Sequence, residues 1–224
     1  MDIFQLLGTI VKEEDPEERE QAIFISLEKP RPDVVEEKVK KLVERDIEEH
    51  GKSRVLNIKS SIKLYVNHSV IENHTSEATP LIWAACQGRT TLVEFFLSRG
   101  ANINATDNHD RTALIWAADI GDLETVKCLI KHGADLEKKD LRYKSTALNW
   151  AAYQTHPCVV EVLVEAGAVI DSPNNYGQTA LGLGFPNLEI IEILLKAGAQ
   201  LSETMFDQIQ RKMGEDFALN FKVA

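Results

Sequence analysis

Three tryptophans, Trp83, Trp116 and Trp150, stand 33 and 34 residues apart within one recurring phrase. Indole is large, seldom fully buried, and enriched among the side chains that anchor interfaces, so its repetition in register points to recognition rather than bond-making. Groups that do bond-making are scattered. The chain has no glycine-rich phosphate loop, no H-E-x-x-H pair, no C-x-x-C and no G-x-S-x-G elbow. Histidines 50, 68, 74, 109, 132 and 156 show no ligand spacing, and His109 and His156 fall at turns, where a polar surface residue is expected. Asp119 and Asp122 form the kind of carboxylate pair common at helix ends, which supports no acid–base chemistry without a pocket. The chain is therefore expected to be no enzyme and to use no cofactor or metal. Any catalysis would have to sit in residues 1–56.

The tryptophans are positioned by the phrase around them. Thr79-Pro-Leu-Ile-Trp-Ala-Ala85 recurs as Thr112-Ala-Leu-Ile-Trp-Ala-Ala118 and as Thr146-Ala-Leu-Asn-Trp-Ala-Ala152, and a worn copy follows as Thr179-Ala-Leu-Gly-Leu-Gly184. Each copy closes on a second phrase, Gly100-Ala-Asn-Ile, Gly133-Ala-Asp-Leu, Gly167-Ala-Val-Ile or Gly198-Ala-Gln-Leu. A fixed period with two anchored phrases is the signature of a stacked repeat array. The threonines sit where a hydroxyl can cap a helix start, and the alanines are small enough for neighbouring helix pairs to approach closely. A second amphipathic helix follows each first one: Leu92, Val93, Phe96 and Leu97 are echoed by Val126, Leu129 and Ile130, by Val159, Val160, Leu163 and Val164, and by Ile190, Ile191, Leu194 and Leu195. Glycine then ends the unit where a left-handed residue is wanted. No single pair buries its apolar face alone, so neighbours must stack on both sides.

Over roughly residues 74–202 this pattern resembles the ankyrin repeat, T-P-L-H-x-A-A followed by a helix and G-A-D-x-N. The motif histidine is replaced by Ile82, Ile115, Asn149 and Gly182, only Pro80 keeps the proline, and the hairpin-turn glycine survives only as Gly177. The resemblance implies an all-α solenoid whose task is protein–protein recognition, as an adaptor, scaffold or inhibitor. It places the tryptophan position on the first helix, beside the groove around which the array curves. Residues three and four further on share that side. The expected groove is thus Trp83, Gln87, Trp116, Asp119, Ile120, Trp150, Tyr153 and Gln154, with packing between helices as the competing role for the indoles. Hairpin tips supply the second rim: Asn108, His109, Arg111, Arg142, Tyr143, Lys144, Asn175 and Tyr176.

Repeats are expected at about 74–106, 107–139, 140–173 and 174–202. The third has one extra residue in its hairpin, Asp140-Leu-Arg-Tyr-Lys-Ser145, and the fourth lacks two between its helices. Slid by one period, Leu64 falls on Leu97, Asn67 on Gly100 and Val70 on Ile103, so Lys59 to Asn73 reads as a degenerate half-repeat capping an array of 57–202. The alternation Ile62, Leu64, Val66 leaves a strand as the minority reading. Residues 1–56 read as a helical region: one apolar face from Ile3 to Val11, a break at 13–16, a joint at Pro30-Arg-Pro32, and a charged helix with Val35, Val39, Leu42, Val43 and Ile47 inward. In 203–224, Met205, Ile209 and Met213 form the stripe of a capping helix, and 217–223 alternates as a strand or arm would.

The formal charge of −10 spreads as −4 over residues 1–75 and −6 beyond. Nucleic-acid binders concentrate Lys and Arg, so that class is disfavoured, while a basic protein partner is compatible. No stretch is apolar enough to span a bilayer, and Met1-Asp-Ile-Phe lacks a basic n-region. A cytosolic or nuclear, monomeric protein is expected, with secretion by a non-Sec route as the alternative. Cys86, Cys128 and Cys158 are read as small buried hydrophobes in a reducing compartment. Two further functional classes are open: residues 1–56 as an effector or enzymatic module targeted by the array, and a structural subunit that self-assembles through the groove.

Overall fold

The computed structural model describes residues 60–66 and 69–213, with backbone alone for 60–66 and 69–77, and a few helical residues before them (37, 40, 41, 43–45, 47, 48 and 56). The expectations for the Ile3–Val11 face, the joint near residue 31 and the alternating tail at 217–223 lie outside the described residues.

Four helix pairs follow the recurring phrases: α1 (Pro80–Cys86) with α2 (Thr90–Ser98), α3 (Ala113–Ile120) with α4 (Leu123–Lys131), α5 (Ala147–Tyr153) with α6 (Pro157–Glu165), and α7 (Ala180–Gly184) with α8 (Leu188–Lys196). First helices pack on first helices and second on second, in sequence order, giving an all-α array of two layers. The alanines at 84, 85, 117, 118, 151 and 152 are buried between the first helices, and Leu92, Val93, Phe96 and their periodic equivalents fill the space between layers.

The helix starts are set by the threonines. Oγ1 of Thr79, Thr112 and Thr146 accepts the backbone N–H of Ile82, Ile115 and Asn149 at 3.2–3.3 Å. A cap of this kind contributes about 1 kcal/mol. Asn149, one of the four departures from the family motif, adds a function: its Oδ1 accepts the Thr146 N–H at 3.2 Å, and its Nδ2 donates to Ser172 O near the end of the same repeat at 3.3 Å. Thr179 makes no side-chain cap, and α7 is only five residues long, so the fourth repeat has the weakest first helix of the array. The helix ends follow the glycines; Gly133, for one, stands at φ +81° with open space where a Cβ would go.

One expectation is corrected. The stretch read as a degenerate half-repeat is an antiparallel hairpin, β1 (Ser60–Val66) with β2 (Ser69–Ala78), paired from Ser60 opposite Ala78 to Val66 opposite Ser69. The period-2 alternation of Ile62, Leu64 and Val66, in a run rich in β-branched residues, outweighs the helical register that three aligned positions suggested. The register shifts between the Lys63–Thr75 and Tyr65–Val70 pairs, where residues 71–74 of β2 stand opposite Leu64 alone, so the irregularity lies in β2. Both strands lie beside α1, where the half-repeat was expected.

The other end behaves as its stripe implied. Helix α9 (Glu203–Met213) buries Ile209 and packs Met205 and Phe206 on the core, with the Met205 methyl 3.5 Å from where a Cβ on Gly182 would stand. Before the hairpin, Val43 and Leu56 are buried in the same core, and Glu44 pairs with Arg99 of the first repeat.

Candidate recognition surface

The tips are built from a buried polar residue at the base of each hairpin. Asp107 Oδ1 accepts the backbone N–H of His109 at 2.8 Å and of Arg111 at 2.9 Å; Asn174 Oδ1 accepts those of Tyr176 and Gln178, both at 2.9 Å. Asp140 plays the part in the third repeat with both oxygens, taking Ser145 N–H at 2.6 Å on Oδ1 and Tyr143 N–H at 3.1 Å on Oδ2. Successive tips are tied together: Leu141 N–H donates to His109 O and Asn175 N–H to Tyr143 O, each at 2.8 Å, and Asn175 Nδ2 donates to Arg142 O at 2.9 Å. A row of otherwise loose loops thereby becomes one braced edge.

Two of the indoles are buried around a cation and do not form an open strip. Trp116 and Trp150 are 4% and 8% exposed, and Trp83 is half-buried against the core. Trp116 Nε1–H donates to Asp107 Oδ2 at 3.0 Å. The Arg111 guanidinium lies over Trp116 at 4.6 Å and over Trp150 at 4.5 Å, a cation held between two aromatic faces. Its Nη1 is 3.7 Å from Asp119 Oδ2. Asp119 Oδ1 accepts Gln154 Nε2–H at 2.7 Å, and its backbone carbonyl accepts His156 Nε2–H at 3.2 Å. Burial pushes the Asp119 carboxyl above its ordinary range, with Gln154, Arg111 and His156 pulling the other way.

Expected groove residues thus divide by exposure. Tyr153 is 58% exposed, Gln87, Ile120 and Gln154 are half-buried, and Asp119 is buried. Among the tip residues Asn108, Arg142, Lys144, Asn175 and Tyr176 are exposed, His109 and Tyr143 are half-buried, and Arg111 turns inward. His156, expected at the surface, is half-buried, its ring filling the space over Gly121. Of the cysteines, Cys86 and Cys128 are buried, with the Cys86 thiol pushed up to about 12 by that burial, while Cys158 is exposed on α6. Sequence reasoning passed over Asp107, Asp140 and Asn174, although their recurrence at the repeat period just before each tip was visible.

Between repeats three and four the aromatic side chains meet. Tyr143 and Tyr153 stand edge-on to Trp150 with centroids at 5.7 and 6.0 Å, and Tyr176 lies 6.4 Å from Tyr143. With Leu183 and the polar Ser145, Asn149, Asn174 and Gln178, they line a cleft of about 240 Å³. Among the described residues no group of three His, Cys, Asp or Glu side chains is placed to hold a metal ion, and no helix is long and apolar enough to cross a membrane.

Stacked helix pairs with braced hairpin tips and capped first helices define a repeat solenoid. The family model for ankyrin repeats, in three copies, matches residues 3–140 and 121–205, so the chain belongs to the ankyrin-repeat family. Its repeats are in general protein–protein interaction modules and typically non-enzymatic. No curated protein matches the chain.

Proposed function

We propose that this array is a binding protein, an adaptor, scaffold or inhibitor, whose partner lies against the hairpin tips and the first-helix face, centred on repeats three and four. The observation that carries the reading is the contiguous patch of Tyr143, Trp150, Tyr153 and Tyr176, two of whose rings are 58% and 70% exposed. Tyrosine and tryptophan clustered at an exposed edge are what interface anchors are made of, because they bring large contact area at low entropic cost. The patch rests on a rigid base, since Arg111, Trp116 and Asp119 lock one another beneath it. Towards the first repeat the contact surface continues along Trp83, Gln87, Ile120 and Gln154, and its rim runs through Asn108, His109, Arg142, Lys144 and Asn175.

The burial of Val43 and Leu56 in the array's core supports residues before the hairpin as part of the same folded unit, in preference to a separate effector module. The chain acts as a monomer in the cytosol or nucleus, and its net negative charge suits a partner with basic segments elsewhere on its surface. Affinity capture with the full chain, followed by mass spectrometry, tests the reading when repeated with Tyr153→Ala/Tyr176→Ala and with Glu161→Ala on the exposed side of α6. Specific partners should vanish with the first variant and persist with the second. Partners that persist with the tyrosine variant and vanish with the α6 variant would place the binding face on the opposite layer.

A further inference from the structure

One inserted residue leaves a donor stranded. In the second repeat Asp107 serves two backbone N–H groups with Oδ1 alone, which frees Oδ2 for the Trp116 indole. In the third the hairpin is one residue longer, and Asp140 uses Oδ1 on Ser145 and Oδ2 on Tyr143. Trp150, at the same place in its repeat, is nine-tenths buried and its Nε1–H has no hydrogen-bond partner among the described residues. A buried donor left unpaired is costly, and its place is the wall of the 240 Å³ cleft, which has room for one side chain.

The chemistry of the occupant follows from what surrounds that donor. No carboxylate or ammonium group lines the cleft. Arg142 and Lys144 stand exposed on the adjoining tip, and Arg111 already covers a face of the Trp150 ring at 4.5 Å. A second cation over the same indole would meet that guanidinium, whereas an anion would be met by Arg142 and Lys144, with the Arg111 charge already answered by Asp119. Asp140, the nearby buried carboxylate, has its charge answered by two N–H donors. We propose that the cleft takes the glutamate or aspartate side chain of a partner's extended segment, with Trp150 Nε1–H donating to a carboxylate oxygen. The indole nitrogen has almost no accessible surface, so the carboxylate reaches it as Tyr153, the more exposed of the two rings packed on Trp150, swings aside. This subsite rests on the recognition reading and specifies its chemistry.

The test uses the intact chain labelled with nitrogen-15, in which the three indole N–H signals are assigned with Trp→Phe variants. Blocked tripeptides Ala-Glu-Ala, Ala-Gln-Ala and Ala-Lys-Ala are titrated in turn. The glutamate peptide should move the Trp150 signal downfield and saturably, with half-saturation on the order of 1–10 mM, the strength of a single-residue contact. The glutamine peptide should bind roughly three- to tenfold more weakly, and the lysine peptide should leave the signal in place. Tyr176→Ala, a change at a 70% exposed residue that leaves the core untouched, should raise the half-saturation several-fold. An unmoved Trp150 signal, or a lysine peptide that moves it as far as the glutamate one, overturns the proposal. A captured partner whose affinity is indifferent to Trp150→Phe, yet falls with other tip variants, overturns the subsite and leaves the recognition reading standing.

Discussion

Replacing Arg111 tests the internal support of the candidate surface. Its guanidinium is held between two indoles and faces a buried carboxylate 3.7 Å away. Arg111→Ala removes two cation–π contacts, each about 1 kcal/mol at a partly buried site, and leaves Asp119 with Gln154 as its remaining side-chain donor. Stranding one member of a fully buried pair costs about 3–5 kcal/mol. Because the Arg111 side chain is 17% exposed and the pair is long, about a third of that applies, for a total of roughly 3–4 kcal/mol. Arg111→Ala/Asp119→Asn should recover about 1 kcal/mol, since the amide no longer needs a cation. Arg111→Lys should recover less than half of the loss, because an ammonium cannot stack flat between two rings. Urea unfolding followed by circular dichroism measures all four proteins, with the transition shape checked for repeat-by-repeat unfolding. An Arg111→Ala loss below about 0.5 kcal/mol, or a double variant no more stable than the single, would refute the coupling.

Three further outcomes follow from the same geometry. Trp116→Phe should cost about 2 kcal/mol more than Trp150→Phe in parallel urea unfolding, because only the first severs a bond to a charged carboxylate; equal losses would mean the Trp116–Asp107 bond contributes nothing. Hydrogen exchange should be faster over 179–187 than over 112–121, given the uncapped five-residue α7 with Gly182 and Gly184, and equal protection would count against a soft fourth repeat. The folded-state value of Asp119 lies above the ordinary 3.8, so the folded chain holds this proton more tightly than the unfolded one. Its contribution to stability is therefore lost as pH rises through the folded value. The stability of Asp119→Asn relative to the parent chain should accordingly improve as pH climbs out of the acid range, and a pH-independent difference would contradict the burial argument.

The array was legible because its information is local and written several times: a capping threonine, two small alanines, an amphipathic stripe and a glycine at a fixed period. The hairpin at 60–78 was misread as a half-repeat because three coincident apolar or polar positions imitate a register, whereas the weak alternation through Val66 carried the real period. Trp116 and Trp150 were correctly placed on the first helices, but their exposure could not be read. It depends on Arg111, thirty-nine residues from Trp150 in sequence and folded in between the two rings. The stranded indole nitrogen was beyond sequence reasoning for a similar reason. The extra residue in 140–145 was visible, but which oxygen of Asp140 each backbone N–H takes is settled only in three dimensions.

The central claim, that this chain recognises a protein through the tips and first helices of repeats three and four, is tested most directly by one affinity. The captured partner is titrated against the parent chain and against Tyr153→Ala/Tyr176→Ala by calorimetry, with the unfolding midpoint of both proteins recorded alongside. Loss of two exposed aromatic anchors should weaken binding by about 2 kcal/mol or more, roughly 30-fold, with an unchanged midpoint. Equal affinities for the two proteins would contradict the account and move the recognition surface off this edge of the array.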